Sequence, residues 1–309
     1  MILAGIDMGT NTLRLLVAEI GDSTFRELHS ERKITRLGQD LERTGMLSRD
    51  AQDRSLAALA GFLSPVRRFS VFRTAAVGTS ALRKAANAAE FFKNVKAGTG
   101  LDITVITGEE EARLTLRGVE RALTRHSLES VPVVDIGGGS TKLILPRSGS
   151  APLVMSLPLG AVYLTERFIK HDPPADDEVA KLRSTVRDEL KKRDRTAPAP
   201  RGEGTCAGTA GTITTLASMD QRLALYDPGK INNYVLTRRA IDAMVRTLVR
   251  STLEQRRGIA GLEAGREDII LAGAIITQEI MGWCGCDEML VSDWGLREGI
   301  VLDLYEKLS

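Results

Sequence analysis

The chain has 309 residues, of which 43% are hydrophobic and 27% are charged, a balance typical of globular proteins. Its formal net charge is +2, which excludes the global basic field of a protein that coats nucleic acid. No segment approaches the roughly 18 consecutive apolar residues that predict a membrane-spanning helix, and the first residues lack the basic region of a signal peptide. We therefore expect a cytoplasmic protein that binds neither nucleic acid nor membrane and is long enough for two domains.

The three cysteines are Cys206, Cys284 and Cys286. Their odd number and their spacing argue against a disulfide framework, and with only three histidines in the chain a zinc site is disfavoured as well. We interpret them as core or incidental cysteines of a protein in a reducing compartment.

The first half of the chain opens with a predicted β-hairpin, in which apolar strands at 2–6 and 13–20 flank a turn that contains an acid and a glycine. Thr107 and Glu110 have the spacing of a capping box and predict a helix that ends near Leu123. Between these two features the patterns predict an extended segment at 25–36, a helix at 48–62, a strand at 70–76, a helix at 81–95 and a short strand at 103–106.

The second half repeats the opening pattern, with strands predicted at 131–136 and 142–146 around a glycine-rich turn. The echo between 6–10 and 134–138 indicates duplication of one domain design, with a boundary within 122–129. The remaining patterns predict a charged helix at 176–193, a loop at 196–202, a segment at 204–208 that leads into a helix ending near 219, helices at 238–253 and 266–281, a strand at 288–292 and a last helix at 297–308.

Three loops are candidates for phosphate binding, at 7–12, 135–141 and 208–212. A glycine at a tight turn allows backbone N–H groups to converge on an anion, and neighbouring hydroxyl groups add donors. An acid beside the glycine can hold a divalent cation that bridges phosphates. A single loop of this kind is weak evidence, because hairpins use Gly and Asp for conformational reasons alone. Two near copies and a third loop together favour phosphate binding.

Glu111 is the candidate general base. Helix capping and the helix dipole explain Glu109 and Glu110, whereas Glu111 has no such local role and is left to orient a water molecule. Arg83 follows a predicted helix start, where it could contact phosphate oxygens or lie on a solvated helix face. Sequence signatures of P-loop nucleotidases and of serine hydrolases with a nucleophile elbow are absent.

The loops at 7–12 and 135–141 resemble the paired phosphate motifs of the acetate-kinase/heat-shock-70/actin superfamily. More narrowly, they resemble the exopolyphosphatase and guanosine pentaphosphate phosphohydrolase (Ppx/GppA) family, in its short two-domain form. Further matching segments follow in order along nearly the whole chain, at 36–38, 79–83 with Asn87, 108–113, 208–212, 265–268, 291–293 and 296–299.

The resemblance implies an α/β architecture of two ribonuclease-H-like (actin-like ATPase) domains with an interdomain cleft. One domain would comprise residues 1–122 with the C-terminal helix 298–309, and the other residues 123–297; a homodimer is implied as well. Glu111 would activate the attacking water, and Asp7 and Asp135 would hold Mg²⁺. The residues implied to bind phosphate are Gly9, Thr10, Asn11, Arg83, Gly137, Gly138, Gly139, Ser140, Lys142, Gly208 and Thr209.

Lys142 departs from the family pattern, which usually has a glutamate at this position. The lysine could neutralise phosphate directly, or catalysis could be weak so that the protein chiefly binds its ligand, or the side chain could point into solvent.

From the family resemblance we expect an exopolyphosphatase that uses Mg²⁺. The alternatives are hydrolysis of guanosine pentaphosphate (pppGpp), a weakly catalytic polyphosphate or nucleotide sensor, and a sugar or acetate kinase, which the segment 108–113 and the small size disfavour.

Overall fold

The computed structural model describes residues 1–123, 131–147, 149–194 and 204–309. Most of the predicted boundary segment 122–129 and the whole predicted loop 196–202 therefore lie outside the described residues. The chain divides into two compact units. Unit 1 comprises Met1–Gly118 and Gly295–Ser309, and unit 2 comprises Val119–Trp294.

Unit 1 is built on a five-stranded sheet with the order β3-β2-β1-β4-β5. The first three strands are antiparallel neighbours, whereas β4 and β5 extend the sheet parallel to β1. Its elements are β1 (Ile2–Met8), β2 (Thr12–Ile20), β3 (Phe25–Ile34), α1 (Leu41–Thr44), α2 (Arg49–Arg68), β4 (Arg73–Gly78), α3 (Ser80–Lys84), α4 (Ala88–Thr99), β5 (Ile103–Val105) and α5 (Gly108–Ala122), which continues into unit 2.

Unit 2 is built on a six-stranded sheet with the order β10-β11-β9-β6-β7-β8. Its elements are β6 (Val133–Ile136), β7 (Thr141–Leu145), β8 (Leu153–Leu157), α6 (Ala161–Phe168), α7 (Asp176–Asp194), β9 (Thr205–Thr209), α8 (Ala210–Asp220), α9 (Pro228–Ile231), β10 (Val235–Thr237), α10 (Arg238–Arg250), α11 (Leu253–Arg257), α12 (Ile270–Cys284) and β11 (Glu288–Val291). The final helix, α13 (Leu296–Leu308), belongs to unit 1.

The two sheets follow one plan. In each, three antiparallel strands are continued by two strands parallel to the first, and unit 2 adds the short strand β10 at its edge. This repetition agrees with the sequence echo that indicated duplication.

Both faces of the unit 1 sheet are covered, which explains why β1 and β2 are buried almost along their whole length. Leu59 and Phe62 of α2 pack into the core on one face. On the other face Val301 of α13 packs against Leu3 and Leu16. In unit 2 the first eight residues of helix α12 are buried among neighbouring helices, as expected for a core helix, whereas Gln278 and Glu279 are half-buried and Gly282 is exposed.

Several predicted elements differ from the observed ones. The helix predicted at 81–95 is two helices, because the Asn87 amide between them hydrogen-bonds the backbone N–H and carbonyl of Leu47 at 2.8 and 3.0 Å. Helix α2 continues through Pro65 to Arg68, and β4 begins at Arg73 instead of at residue 70. Strand β8 and helix α6 were not predicted. Within the described ranges, no helix is both long and apolar enough to cross a bilayer.

Candidate active site

The carboxyl ends of β1, β4 and β5 meet at one edge of the unit 1 sheet. Asp7 of β1 is aligned with Val77 of β4, and the backbone N–H of Thr79 donates to the Met8 carbonyl at 3.4 Å. The N–H of Ile106, just after β5, donates to the carbonyl of Gly78, the last residue of β4, at 3.1 Å. The loops that follow these three strands are therefore neighbours, as is usual for binding sites in open α/β sheets.

The loop after β1 has the form of an anion nest. The Gly9 N–H donates to the Thr12 carbonyl at 3.1 Å, and a Cβ atom at Gly9 would lie only 2.9 Å from that oxygen. The family resemblance implied that the Gly9 N–H binds phosphate. In the structure this N–H closes the turn instead. Within the described residues, the N–H groups of Thr10 and Asn11 donate to no acceptor, so these two groups are available to a ligand.

The segment 35–38 makes backbone hydrogen bonds to this loop. The Asn11 carbonyl accepts hydrogen bonds from the N–H groups of Thr35 and Arg36, and the Thr10 carbonyl accepts from Gly38 at 2.8 Å. A Cβ atom at Gly38 would lie 2.4 Å from the Thr10 Cγ2 atom, so only glycine allows this approach. Arg36 has a φ of 50°, in the left-handed region. The motif at 36–38 therefore has a backbone role, since together with Thr35 it fixes the orientation of the Thr10 and Asn11 carbonyls.

Arg83 and Glu111 form an ion pair at the same edge. The Arg83 Nη1 atom donates to Glu111 Oε2 at 2.9 Å and to the Ile106 carbonyl at 2.7 Å. Glu111 is 4% exposed, while the Arg83 side chain is 24% exposed. The solvated-face interpretation of Arg83 is therefore wrong. Its Nε and Nη2 atoms make no hydrogen bond within the described part of the chain, which leaves one edge of the guanidinium group for an anion.

The neighbouring glutamates have the local roles that the sequence predicted. Glu110 completes the capping box, with the Thr107 N–H donating to Glu110 Oε2 at 2.8 Å and the Glu110 N–H donating to the Thr107 hydroxyl at 3.1 Å. The hydrogen bond from the Thr107 N–H lowers the pKa of Glu110 below its ordinary value. Glu109 is exposed. Of the three consecutive glutamates, only Glu111 is buried.

The glycine loop of unit 2 is oriented by the helix that packs against it. The Gly137 N–H donates to the Ser140 carbonyl at 3.1 Å, so Gly137 closes its turn as Gly9 does. The first N–H groups of α6 donate to the loop, Ala161 to the Gly137 carbonyl at 3.0 Å and Val162 to the Gly138 carbonyl at 2.9 Å. With their carbonyls engaged on this side, the peptide groups of the loop direct their N–H groups the other way.

Four donors in this loop are available to a ligand. Among the described residues, the backbone N–H groups of Gly138, Gly139 and Ser140 donate to no acceptor. The Ser140 side chain is 6% exposed, and its buried Oγ atom has no hydrogen-bond partner in the same part of the chain. Buried polar groups are rarely left unsatisfied. The arrangement is that of a preformed anion site.

Asp135 and Lys142 lie directly opposite each other on the antiparallel strands β6 and β7. Opposite residues of such a pair project to the same face of the sheet, with Cβ atoms about 5 Å apart. Lys142 is 1% exposed and Asp135 is 5% exposed. The possibility that Lys142 points into solvent is therefore excluded. In unit 1, Asp7 lies opposite Arg14 in the same register, so a cation faces the acid in both units.

The third candidate loop follows β9 in unit 2. Gly208 is closely packed, since a Cβ atom there would lie 2.3 Å from Met289 Sδ and the methionine side chain would have to move. The Thr209 hydroxyl donates to the Trp294 carbonyl at 2.8 Å, which leaves its lone pairs, but not its proton, for a ligand. Ala210 has a φ of +70°, a strained conformation of the kind that concentrates at functional sites.

Arg266 is a residue of this loop region to which the sequence had assigned no role. Its guanidinium group lies across Gly211, where a Cβ atom would be 2.3 Å from the Arg266 Nη2 atom. Arg266 is 5% exposed and is held by an ion pair to Glu263 at 2.5 Å. The segment 265–268 matched the family motifs, and this match was the signal that pointed to it.

The carboxylates at the two glycine loops fit one mode of Mg²⁺ binding. Within the described residues, no group of three or more His, Cys, Asp or Glu side chains could hold a metal ion. Mg²⁺ commonly uses one or two carboxylates together with substrate phosphates and water, without a cage made only of protein groups. Asp7 and Asp135, each beside a preformed phosphate nest, have the donor chemistry for that mode.

The predicted site residues thus fall into two groups, one at the corresponding sheet edge of each unit. The unit 1 group comprises Asp7, Gly9, Thr10, Asn11, Arg83 and Glu111. The unit 2 group comprises Asp135, Gly137, Gly138, Gly139, Ser140, Lys142, Gly208 and Thr209.

Comparison with known proteins gives concordant matches. Residues 16–308 match the model of the Ppx/GppA phosphatase family. The chain is 35% identical over 317 aligned residues to exopolyphosphatase 2 of Mycobacterium tuberculosis, and the alignment covers 98% of each chain. It is 27% identical to exopolyphosphatase 1 of the same organism, with 98% of this chain and 88% of that protein covered.

Solved structures match over the full length. A Ppx/GppA family member from Aquifex aeolicus is 35% identical, with a TM-score of 0.82 over 100% of this chain and 99% of that one. An exopolyphosphatase from Cytophaga hutchinsonii is 27% identical, with a TM-score of 0.89 over 99% of this chain and 98% of that one. The fold is therefore that of the Ppx/GppA proteins, whose actin-like architecture the sequence motifs implied.

Proposed function

The chain belongs to the Ppx/GppA phosphatase family, and we propose that it is an exopolyphosphatase that removes terminal phosphates from inorganic polyphosphate. Full-length similarity to two mycobacterial exopolyphosphatases supports the reaction class. The observation that carries the proposal is the buried Glu111 carboxylate, held by Arg83 beside a phosphate nest.

Glu111 acts as the general base in this proposal. Its carboxylate takes a proton from a water molecule as the water oxygen bonds to the terminal phosphorus and the bridging P–O bond breaks. The products are orthophosphate and a chain shorter by one phosphate. Arg83 fixes the carboxylate through Nη1, and its Nε and Nη2 donors hold the terminal phosphate in line.

The nests supply the charge stabilisation that phosphoryl transfer requires. Backbone donors of Thr10 and Asn11 in unit 1, and of the loop 138–140 in unit 2, are fixed before the substrate arrives, so no reorganisation accompanies the reaction. Lys142, opposite Asp135, adds a basic side chain at the unit 2 loop. Asp7 in unit 1 and Asp135 in unit 2 each have the donor chemistry to hold Mg²⁺, which would neutralise phosphate oxygens when bound.

The test is release of inorganic phosphate, with Mg²⁺ present, from long-chain polyphosphate, pppGpp and ATP in parallel. We expect the wild-type protein to prefer polyphosphate, and we expect the Glu111→Gln variant to lose about a thousandfold in kcat, because general-base catalysis contributes roughly 10²–10⁴-fold. Glu109→Gln is the matched control, since Glu109 is an exposed neighbour on the same helix, and its kcat should stay within about twofold of wild type.

Each alternative predicts a distinct result. Preference for pppGpp would replace polyphosphate as the substrate while leaving the role of Glu111 intact. No release from any substrate, with activity gained in Lys142→Glu, would identify a binding protein and contradict the proposal, as would phosphate transfer from ATP to an added acceptor. The cytoplasmic location and the homodimer stay predictions.

A further inference from the structure

A groove with a volume of about 410 Å³ runs along helix α12 of unit 2, between α7 and α10. This volume lies within the range of about 300–1,000 Å³ that small-molecule sites occupy. None of its lining residues belongs to the three phosphate loops. The groove therefore has to be explained separately from the proposed active site.

The groove carries an excess of positive charge. Two carboxylates line it, Asp242 and Glu279, together with four cations, Arg183, Arg187, Lys191 and Arg238. A concave surface lined by one sign of charge raises the local concentration of ligands of the opposite sign. An anionic ligand is therefore favoured.

Part of this charge is neutralised within the groove. Arg183 and Arg187 both donate to the Glu279 carboxylate, the latter through Nε at 2.7 Å. The Asp242 carboxylate accepts a hydrogen bond from the side-chain amide of Gln278. These groups form the fixed part of the groove, and Glu279 is committed to two guanidinium groups.

Arg238 and Lys191 account for the remaining charge. Within the described part of the chain, neither side chain makes an ion pair or a hydrogen bond. The Arg238 Nη2 atom lies 3.1 Å from the position that a Cβ atom of Gly282 would take, so the guanidinium group extends over a residue without a side chain. A planar guanidinium beside an ammonium group in a groove suits phosphate oxygens.

Trp283 adds a flat aromatic surface to the same groove. It is half-buried and follows Gly282 directly in α12. An aromatic side chain beside cations is the combination that binds a base by stacking and its phosphates by charge. Trp283 also packs against the core of unit 2, and a nucleotide, unlike orthophosphate, would use both the cations and the aromatic side chain that line the groove.

Helix α12 separates this groove from the phosphate loops. Near its beginning, a Cβ atom at Gly273 would lie 2.5 Å from Thr212 Cγ2, so this end packs against the third loop. Gly282 is nine residues further along, which corresponds to about 14 Å at 1.5 Å per residue. A ligand on Arg238 and Trp283 would therefore occupy a second site.

We propose that this groove binds a nucleotide, with the base stacked on Trp283 and the phosphates held by Arg238 and Lys191. Isothermal titration calorimetry of the whole protein with ADP and GDP tests the proposal, with adenosine and pyrophosphate as probes of the two halves of the ligand. Arg238→Gln should weaken nucleotide binding by about tenfold or more. Arg239→Gln is the matched control, because Arg239 is the exposed next residue and does not line the groove, and it should stay within about twofold.

Two further variants distinguish the base from the phosphates. Trp283→Leu should weaken ADP by about tenfold and leave pyrophosphate unchanged, since only the base stacks on the indole. Gly282→Leu should abolish binding by filling the groove and displacing Arg238.

The proposal is overturned by nucleotide binding that is unchanged in both Arg238→Gln and Gly282→Leu, which would place the nucleotide elsewhere, or by the absence of binding at millimolar nucleotide. It is overturned too if Trp283→Leu leaves ADP binding unchanged, which would make the groove a site for phosphate alone. For each variant, a thermal unfolding midpoint equal to that of the wild-type protein shows that the substitution has not disrupted the fold.

Discussion

The two units carry related loops on the same sheet plan, and the loops have kept some residues in common. Asp7 lies opposite Arg14 in unit 1, and Asp135 lies opposite Lys142 in unit 2. Each pair flanks a glycine turn closed by one backbone hydrogen bond. An acid with a facing cation is therefore a feature of both copies, so Lys142 corresponds to Arg14 and is not an isolated anomaly.

The agreement continues at the next parallel strand. Strand β4 leads into Gly78-Thr79 and β9 ends at Gly208-Thr209, and in both cases a helix follows directly. Five residues after its glycine, unit 1 has Arg83, whereas unit 2 has Ile213, which is completely buried.

The strands β5 and β11 are followed by the helices α5 and α13, respectively, and these two helices begin alike and then differ. The Thr107 N–H bonds the Glu110 carboxylate in α5, and the Gly295 N–H bonds the Glu298 carboxylate at 2.8 Å in α13. The next residue is Glu111 in the first case and Gly299 in the second. Unit 1 thus has an arginine and a glutamate where the other copy has an isoleucine and a glycine. In the mechanism that we propose, this difference assigns general-base chemistry to unit 1 and phosphate binding to unit 2.

Removing Arg83 should produce the largest effect after loss of Glu111 itself. Arg83→Met should lower kcat for polyphosphate by about a hundredfold, because the Glu111 carboxylate loses the group that positions it. Lys84→Met is the control: this lysine pairs with Glu42 at 3.2 Å and is about two-fifths exposed, so kcat should change by less than about twofold. Equal losses in the two variants would show that general charge matters and the ion pair does not.

Gly299 should be irreplaceable for a structural reason. A Cβ atom there would lie 1.8 Å from the Leu114 carbonyl oxygen, because α13 packs backbone to backbone on α5. Gly299→Ala should lower the free energy of unfolding in urea by about 3 kcal/mol, since overpacking cannot relax against a carbonyl group. Gly61→Ala, in α2 with no atom within 4 Å of its Cβ position, should instead be neutral or stabilising by about 0.5 kcal/mol. A Gly299→Ala protein as stable as wild type would contradict the account of how the second copy diverged.

Substitution of Asn87, which lies between α3 and α4, should produce the smallest of these effects. Asn87→Ala removes two hydrogen bonds to Leu47 and should cost about 1–2 kcal/mol of unfolding free energy. Asn94→Ala, in the following helix, is the control and should cost less than about 0.5 kcal/mol. Similar costs for the two substitutions would mean that the contact with Leu47 does not stabilise the interruption.

Local signals made part of this structure predictable from sequence. The hairpins and the capping box of Thr107 and Glu110 depend on residues a few positions apart, whereas the burial of Glu111 depends on tertiary packing. The break at Asn87 was missed because its partner, Leu47, is 40 residues away in the chain. The start of β4 depends on its register with β1, in which Leu3 is aligned with Arg73. The burial of Lys142 depends on packing around β7, which the sequence did not reveal.

The site was predictable to a similar degree. The motifs identified the loops, but the donors that each loop offers depend on backbone hydrogen bonds. Gly9 and Gly137 use their own N–H groups to close the turns, so the available donors come from the residues that follow. The orientation of Arg266 over Gly211 is likewise a tertiary contact between distant segments.

The proposed division, in which unit 1 carries the chemistry and unit 2 chiefly binds phosphate, is tested by measuring polyphosphate Kd and kcat together in Glu111→Gln and Lys142→Met. We predict that Glu111→Gln binds within about threefold of wild type while kcat falls about a thousandfold. Lys142→Met should bind about tenfold more weakly, because Asp135 then faces the phosphates without its cation, and should keep kcat within about tenfold. Glu111→Gln with normal kcat, or Lys142→Met with normal affinity and a thousandfold lower kcat, would contradict the claim.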